Sequence, residues 1–171
     1  MKYVDLPEAQ GLYDPAYEHD ACGMGFVAHL KGKKSHAIVQ DALTILAHME
    51  HRGAHGCEEN TGDGAGIMIQ IPHAFFAEEA RQLGVTLPAV GDYAIAMVFL
   101  PQDPSVRSDS EATFARIVKE ENLQLLTWRD VPYNATPIGN SALRAMPMIR
   151  QAIIARPADV AAGLAFERRL Y

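Results

Sequence analysis

An uncharged apolar run at positions 93–101 is the feature that most constrains the fold of this chain. A run of this length is typical of a buried β-strand, and it falls far short of the roughly 18–20 residues that cross a bilayer. We therefore predict no membrane helix. Short apolar or alternating patterns predict further strands at 23–30, 66–71, 123–128 and 148–155.

Apolar residues spaced three or four apart predict helices between these strands. The first helix begins at the N-cap Ser35, and the second begins after Pro72 and ends at Gly84. Two more are predicted at 108–122 and 159–171. The side chains expected to face inward are Ile38, Ala42, Ile45, Leu46 and Met49 in the first helix and Phe114, Ile117 and Val118 in the third. The alternation predicts a layered fold of sheets and helices, without fixing the strand directions.

Composition limits the classes of function. The 171 residues are 49% hydrophobic and 21% charged, as in a globular domain with its own core. The formal charge of −6 provides no basic field to attract nucleic acid or anionic lipid. Residues 1–21 are acidic and unlike a targeting presequence, and the two cysteines, Cys22 and Cys57, are too few for a disulfide scaffold. We therefore expect reduced thiols and a cytoplasmic location.

Residues that can carry chemistry are concentrated in the N-terminal part of the sequence. All seven histidines and both cysteines lie within the first 73 positions. Three groups are prominent there: DACGMGF at 20–26, EHRGAHG at 50–56 and NTGDGAG at 60–66. A reactive site is therefore expected in this part of the chain.

Cys22 has two interpretations. A free cysteine is usually a small buried hydrophobic residue. Here, however, Gly23 and Gly25 follow it, and glycines allow the backbone to pass close to another group, as in a substrate pocket. The loop at 60–66 is likewise either a tight turn or a backbone cradle for an anion, although it lacks the Gly-Lys-Ser/Thr ending of a P-loop. The residues alone leave both questions open.

A zinc site is a further possibility, because positions three and four apart share a helix face. Its ligands would be His48, His51, His55 and Cys57. The glycines at 53 and 56 indicate that the helix ends before His55, and the spacing matches no common zinc motif. Histidines and Arg52 at a helix end also complement the helix dipole. We therefore predict no metal site.

Taken together, the motifs resemble one family, the N-terminal glutaminase region of glutamate synthase large chains, which are class II glutamine amidotransferases. The similarity rests on CGMGFVA at 22–28, DALTIL at 41–46, EHRGA at 50–54 and NTGDGAG at 60–66, and it continues through WRDVP at 128–132 and FERRLY at 166–171. It covers essentially the whole chain. The resemblance implies an α+β fold of the N-terminal nucleophile hydrolase type, a four-layer αββα sandwich, with residues 22–171 as the N-terminal part of the domain.

The resemblance also implies a reaction. Cys22 is the catalytic nucleophile and becomes the mature N-terminus when a propeptide, residues 1–21, is removed. Arg52, Gly53 and Asp63 are implied as supports of the pocket. The substrate is L-glutamine, and the released ammonia is used for reductive amination of 2-oxoglutarate in the remainder of the large chain, its synthase and FMN domains.

The implied cofactors lie outside this chain. The resemblance implies FMN and an iron–sulfur cluster for the full-length enzyme and no cofactor within these residues. Electrons would come from an NADPH-oxidising small subunit or from ferredoxin. Neither nucleic acid nor a membrane is an expected partner.

Proteolytic processing has a physical reason. A thiol with a pKa of about 8.5 is mostly protonated at neutral pH and needs a base. The α-amino group freed at Cys22, with a pKa of about 8, can accept that proton, whereas the amide of an uncleaved chain cannot. We therefore expect the precursor to be inactive.

Two observations predict limited activity for these residues alone. The sequence has no Asn-Gly pair, which the family uses in its oxyanion hole, and the last amphipathic helix shows no stop signal before Tyr171. Loss of one oxyanion donor costs about 3–4 kcal/mol. We expect a domain incomplete at its C-terminus with little turnover of its own. The alternative is a non-catalytic truncated remnant, or a small-molecule-binding or metal-binding α+β module.

Overall fold

The computed structural model describes residues 8–12, 14, 23–53, 58, 60–62 and 64–171, except for the side chain of residue 51. The chain divides into two compact units, Met1–Met68 and Ile69–Tyr171, called here the N-terminal and C-terminal units. The described ranges contain helices and a small antiparallel sheet, which confirms the α+β class. Within these ranges, no helix is both long and apolar enough to cross a membrane.

The helices and strands follow one another along the chain in a mixed order. They are α1 (His36–His48), a 3-10 turn (Glu50–Arg52), α2 (His73–Gln82), β1 (Tyr93–Leu100), α3 (Pro104–Glu120), β2 (Gln124–Asp130), α4 (Asn140–Ala145), β3 (Met148–Ala155) and α5 (Leu164–Leu170).

The sheet of the C-terminal unit has β3 at its centre, with β1 and β2 antiparallel on either side. β1 and β3 pair without interruption, from Tyr93 opposite Ala155 to Leu100 opposite Met148. The register of β2 on β3 shifts between Leu125 and Thr127, as in a β-bulge. The strands predicted around 93–100, 123–128 and 148–155 are therefore confirmed.

Two apolar cores lie on opposite faces of this sheet, because the adjacent residues Ile153 and Ile154 of β3 point in opposite directions. On one face, Ile154 packs with Val118 of α3 and Phe166 of α5. On the other face, Ile153 packs with Ala80 of α2. The unit is thus held together by helices on both faces of one sheet.

Helices α2 and α3 end in the same hydrogen-bonded motif. After α2, Gly84 has a φ of 75°, and the N–H of Val85 donates to the carbonyl of Ala80 at 2.8 Å. Asn122 takes the equivalent position after α3, with a φ of 54° and the same pattern of backbone hydrogen bonds. In this Schellman cap, a residue in the left-handed region turns the chain out of the helix. The predicted stop at Gly84 is confirmed.

The strands predicted at 23–30 and 66–71 are wrong. Both ranges are described, and neither forms strand pairs. Met68, expected to be buried, is 99% exposed. An apolar pattern favours a strand only where a neighbouring strand accepts its hydrogen bonds, and the pattern does not specify that neighbour.

Several helix boundaries and side-chain orientations also differ. α3 begins at Pro104, before the predicted position 108, because the Asp103 carboxylate accepts hydrogen bonds from two backbone N–H groups at 2.9 and 3.0 Å. The helix predicted from 159 begins only at Leu164, after Gly163 with its φ of 72°. Phe114 and Val118 face the core as predicted, whereas Ile117 is 48% exposed. The six-residue α4 is too short for an apolar period to reveal.

Candidate functional site

Helix α1 of the N-terminal unit begins where the sequence predicts. The Ser35 hydroxyl accepts a hydrogen bond from the N–H of Ile38 at 3.4 Å. Just upstream, Gly32 has a φ of 65°, and the Nδ1 atom of His29 accepts hydrogen bonds from the backbone at Lys31 and Lys33, at 3.1 and 3.4 Å. The predicted inward side chains of α1 are all half-buried, so the stripe is correctly placed but is not fully buried.

The chain turns sharply after α1. Met49 caps the helix, and the Arg52 N–H donates to the Met49 carbonyl at 2.8 Å to close the 3-10 turn. The N–H of Gly53 donates to the Glu50 carbonyl at 3.0 Å, and the chain then leaves in an extended conformation. Met49 and Arg52 thus lie one short turn apart at the end of the helix.

Two glycines of the Cys-Gly-x-Gly segment pack directly against this helix end. A Cβ atom on Gly25 would lie 2.5 Å from Cγ2 of Ile45. A Cβ atom on Gly23 would lie 2.8 Å from the Met49 Sδ atom and 3.3 Å from Cβ and Cγ of Arg52. Non-bonded atoms do not approach this closely, so an alanine at Gly25 would clash with the stiff Ile45 side chain, whereas an alanine at Gly23 would force the flexible Met49 side chain to move. The predicted close approach of the backbone at Gly23 and Gly25 to another group is therefore confirmed, and that group is the C-terminal end of α1.

The structure places two of the four predicted site residues. Arg52 and Gly53 lie in and directly after the 3-10 turn, and both are exposed. Cys22 and Asp63 lie outside the described residues. Gly23 directly follows Cys22 in the chain. Arg52 lies against Gly23, the residue after the predicted nucleophile.

Gly53 does not require glycine on the same steric ground. A Cβ atom there would meet only the Glu50 carbonyl oxygen, at 3.4 Å, and its φ is −87°. Any residue could adopt this local backbone. A role for Gly53 in a pocket would therefore depend on what binds beside it.

The described part of the 60–66 loop combines a turn with open space. The Thr61 backbone N–H donates to the Glu58 carbonyl at 3.1 Å, and its hydroxyl donates to the Glu58 carboxylate at 2.8 Å. Gly64 and Gly66 have no atom within 4 Å of an added Cβ. Both interpretations of this loop remain open, since Asp63 is not described.

The zinc hypothesis is not tested. Among the described residues, no three histidine, cysteine, aspartate or glutamate side chains are arranged to hold a metal ion. His48 is described, but His55 and Cys57 lie outside the described residues, as does the side chain of His51. The prediction that this chain has no metal site stays a prediction.

The C-terminal unit contains paired charges that no motif in the sequence indicates. The Arg129 side chain is 11% exposed; its Nε donates to Glu79 at 2.5 Å and its Nη1 donates to Gln151 at 2.9 Å. The same guanidinium lies 5.2 Å from the centre of the Phe75 ring. These two donor groups of Arg129, on β2, bind Glu79 of α2 and Gln151 of β3. Arg129 therefore links α2 to the sheet.

A second arginine lies on the opposite face of the sheet. Arg150 donates to Glu111 and to Asp130, both at 2.6 Å, and lies 5.4 Å from the centre of the Trp128 ring. Partial burial lowers the pKa of Arg150, but the hydrogen bonds and charges of the two carboxylates outweigh burial and raise it above the usual value. An open depression of about 350 Å³ lies beside this arginine and Arg129. The charged side chains that line it are already paired, Arg129 with Glu79 and Arg150 with Asp130.

Tyr93 is a buried ionisable residue of the core that contains Ala80 and Ile153. It is 5% exposed, and its hydroxyl lies 3.1 Å from Nδ1 of His73. Burial raises the pKa of the Tyr93 hydroxyl. A charge pattern in the sequence could not have revealed this pair, because the two residues are twenty positions apart.

The sequence profile of the class II glutamine amidotransferases matches this chain over residues 22–171. The chain belongs to this family, which confirms the resemblance. The match covers the Gly23 and Arg52 contact and begins at Cys22.

Three similar proteins are glutamate synthases of different kinds. The chain is 43% identical over 171 residues to the glutamate synthase (NADPH) large chain of Bacillus subtilis (strain 168), an alignment that covers 100% of this chain and 11% of that protein. It is 43% identical over 171 residues to glutamate synthase (NADH) of Schizosaccharomyces pombe, covering 97% of this chain and 8% of that protein. It is 40% identical over 154 residues to ferredoxin-dependent glutamate synthase 2 of Synechocystis, covering 90% of this chain and 10% of that protein. The chain spans about a tenth of the length of these relatives.

Proposed function

We propose that this chain carries the nucleophile of a glutamine-hydrolysing site that supplies ammonia for glutamate synthesis. The observation that carries the proposal is the contact of Gly23, the residue after Cys22, with Arg52 and Met49 at the end of α1. The family match begins at Cys22, and the relatives are glutamate synthases, which supports the same assignment.

The proposed chemistry uses one sulfur atom and one amine. The Cys22 thiol gives its proton to the α-amino group of the same residue, and the sulfur attacks the γ-amide carbon of glutamine. The tetrahedral adduct breaks its C–N bond, the nitrogen takes up the proton, and ammonia leaves behind a γ-glutamyl thioester. Water then attacks the thioester carbon, which releases glutamate and restores the thiol. The net reaction is glutamine plus water to glutamate plus ammonia.

Removal of residues 1–21 is part of the proposal. The α-amino group of Cys22 exists as a base only after the bond between Ala21 and Cys22 is cut. Residues 22–171 are then the N-terminal part of the amidotransferase domain. The proposed supports of its pocket are Arg52, Gly53 and Asp63.

We also propose the four-layer αββα sandwich of N-terminal nucleophile hydrolases. Such a fold needs an apolar sheet face that a second sheet covers. In the C-terminal unit, Met97 and Phe99 alternate along β1 and are 50% and 64% exposed. Apolar side chains in these positions support the sandwich, since exposed apolar surface of this kind marks a face that is normally covered.

The partners and cofactors of the proposed enzyme lie in the rest of the longer polypeptide. They are the synthase and FMN domains, an iron–sulfur cluster, and an NADPH-oxidising subunit or ferredoxin as the source of electrons. No step proposed for this chain passes through FMN or the cluster. We propose the cytoplasm as its location, on the basis of the acidic residues 1–21 and the few cysteines.

The experiment that tests the function labels the nucleophile in the full-length protein. A chloroketone analogue of glutamine places an electrophilic carbon where the γ-amide would lie, and peptide mass spectrometry then locates the label. We expect the label on Cys22 of chains that begin at Cys22, and we expect glutamine to protect against it. N-terminal sequencing of the same sample identifies the processed chains.

Two substitutions provide the matched comparison. Cys22→Ser should abolish release of ammonia from glutamine, because a hydroxyl is a far weaker nucleophile at neutral pH. Cys57→Ser should leave it unchanged. Normal hydrolysis by Cys22→Ser, or by chains whose Ala21–Cys22 bond is intact, would overturn the proposal and favour a non-catalytic module.

A further inference from the structure

Gly23 and Gly25 are spaced so that both pack against the same face of α1. Gly25 lies against Ile45, and Gly23 lies against Met49, so the segment runs antiparallel to the helix. Four residues of helix rise about 6 Å, so the segment advances by two residues while the helix advances by about one turn. A contact at every second residue of the segment therefore meets a contact at every fourth residue of the helix.

The two helix side chains differ in stiffness. Ile45 is β-branched and has one strongly preferred rotamer in a helix, so its Cγ2 atom is a fixed obstacle. Met49 is unbranched and can move its sulfur atom aside. The backbone at Gly25 therefore faces a rigid group, and the backbone at Gly23 faces a softer one beside Arg52, whose Cβ and Cγ would lie 3.3 Å from a Cβ added to Gly23.

We propose that Ile45 and Met49 are positioning residues that set the location of the Cys22 nucleophile through Gly25 and Gly23. This inference rests on the proposed function of Cys22. The side chains of Ile45 and Met49 limit how closely the segment can approach α1, an arrangement called here the two-point stop. The missing Cβ atoms of Gly25 and Gly23 let the segment pack against these two side chains. The rate of the reaction at Cys22 then depends on how closely the segment that follows it approaches α1.

The size of the effect follows from the contact distances. A Cβ on Gly25 would lie 2.5 Å from the Ile45 methyl group, whereas carbon atoms pack at about 3.5–4.0 Å. An added methyl group must therefore displace the segment by about 1 Å. A displacement of this size away from the reacting atoms can reduce a rate by about 100-fold.

The test compares Gly25→Ala, Ile45→Ala and the double variant in the full-length protein. All three carry Cys57→Ser, and peptide mass spectrometry assigns the iodoacetamide label to Cys22, because the full-length protein extends far beyond this chain. We measure the alkylation rate of Cys22 against pH, and kcat and KM for ammonia release from glutamine. Gly25→Ala should lower kcat about 100-fold and change the rate of Cys22 alkylation much less, and removal of the Ile45 side chain in the double variant should restore kcat at least tenfold. A merely structural role would lower stability in both single variants without this recovery.

Two further variants keep the proposal testable if Gly25→Ala does not fold. Gly23→Ala should lose less activity than Gly25→Ala, because Met49 can move, and Gly23→Ala with Met49→Ala should recover part of that loss. Leu46→Ala removes another half-buried side chain of α1 and provides the matched control. It should lower the thermal midpoint and leave the pH profile of Cys22 alkylation unchanged.

The outcomes separate the two proposals. If the parent protein releases ammonia but neither double variant exceeds its glycine-to-alanine parent, the positioning role is overturned and the function stands. If Leu46→Ala slows Cys22 as much as Ile45→Ala does, general packing replaces the two-point stop. If the processed parent protein neither hydrolyses glutamine nor reacts at Cys22, the proposed function fails and the positioning role fails with it.

Discussion

Arg52 lies against Gly23, so that a Cβ atom on Gly23 would be 3.3 Å from both Cβ and Cγ of the arginine. The contact uses the aliphatic stem of Arg52 and leaves its guanidinium exposed. Packing and charge therefore reside in different parts of one side chain. Substitutions can separate the two contributions.

We expect Arg52→Met and Arg52→Ala to have different kinetic effects. Arg52→Met keeps the stem against Gly23 and removes the charge, so KM for glutamine should rise about tenfold with little change in kcat. Arg52→Ala also removes the stem, so kcat should fall as well. Steady-state ammonia release by the full-length protein measures both constants. Equal kcat values for the two variants would show that the stem contact is irrelevant to turnover.

The adjacent glutamates Glu78 and Glu79 should differ sharply in their contribution to stability. Glu79 pairs with Arg129, whose side chain is only 11% exposed, whereas Glu78 pairs with the exposed Arg81. Glu79→Ala leaves a largely buried guanidinium short of a partner and should lower the free energy of unfolding by about 2 kcal/mol. Glu78→Ala should leave it unchanged, since exposed ion pairs contribute little. Urea titration followed by circular dichroism compares them, and equal effects would contradict the structural role of Arg129.

Replacement of Asn122 should lower the free energy of unfolding by an amount that depends on the new residue. Its φ of 54° is unfavourable for alanine, and its side chain also donates to Asp159 at 2.7 Å. Asn122→Ala should lower the free energy of unfolding by about 1–2 kcal/mol, because the left-handed region is unfavourable for a residue with a Cβ atom unless, as in asparagine, a short polar side chain offsets the strain. Asn122→Gly removes the same hydrogen bond without the strain, so its cost should match that of Asp159→Ala. Thermal unfolding distinguishes the cases, and an Asn122→Gly variant as unstable as Asn122→Ala would contradict strain as the cause.

Stability of the C-terminal unit should depend on alkaline pH through Tyr93. Burial raises the pKa of this hydroxyl in the folded protein above its ordinary value of 10.0. Below about pH 10, both folded and unfolded states hold the proton, so the contribution is fully present; above it, the unfolded state ionises first and the contribution is progressively lost. Urea unfolding between pH 8 and about pH 11 should show this decline.

Tyr93→Phe provides the comparison for the alkaline effect. It should flatten the decline above about pH 10, while losing the hydrogen bond to His73 at every pH below that. The exposed Tyr133, which is 50% exposed, can be changed to Phe as the control and should alter neither. An unchanged alkaline decline in Tyr93→Phe would assign the effect to another group.

Much of the local structure was predictable because its causes are local. Ser35, Gly84 and the 93–100 and 148–155 strand patterns carry their own signals, a side-chain cap, a left-handed residue and buried apolar runs. The boundaries of α3 and α5 were missed where one residue, Asp103 or Gly163, overrode the apolar period. The family motifs were also visible, because they lie in short contiguous segments.

The strands predicted at 23–30 and 66–71 failed for a different reason. Their residues have the required apolar content, but a strand exists only when another strand supplies its hydrogen bonds. The pairing of Arg129 with Glu79 and of Arg150 with Glu111 was hidden likewise, since the partners are 50 and 39 positions apart. Nothing in the local pattern encodes such distant contacts.

The sequence by itself determined the family and the α+β class, and its glycines after Cys22 indicated a close approach of the backbone, because each signal lies in residues that are close along the chain. Only the tertiary structure decided what those glycines face. Gly23 and Gly25 meet Arg52, Met49 and Ile45, which lie 20 or more positions away, and such contacts depend on how a helix folds back along an irregular segment. The sequence specified a close approach, and the packing of α1 specified its partner.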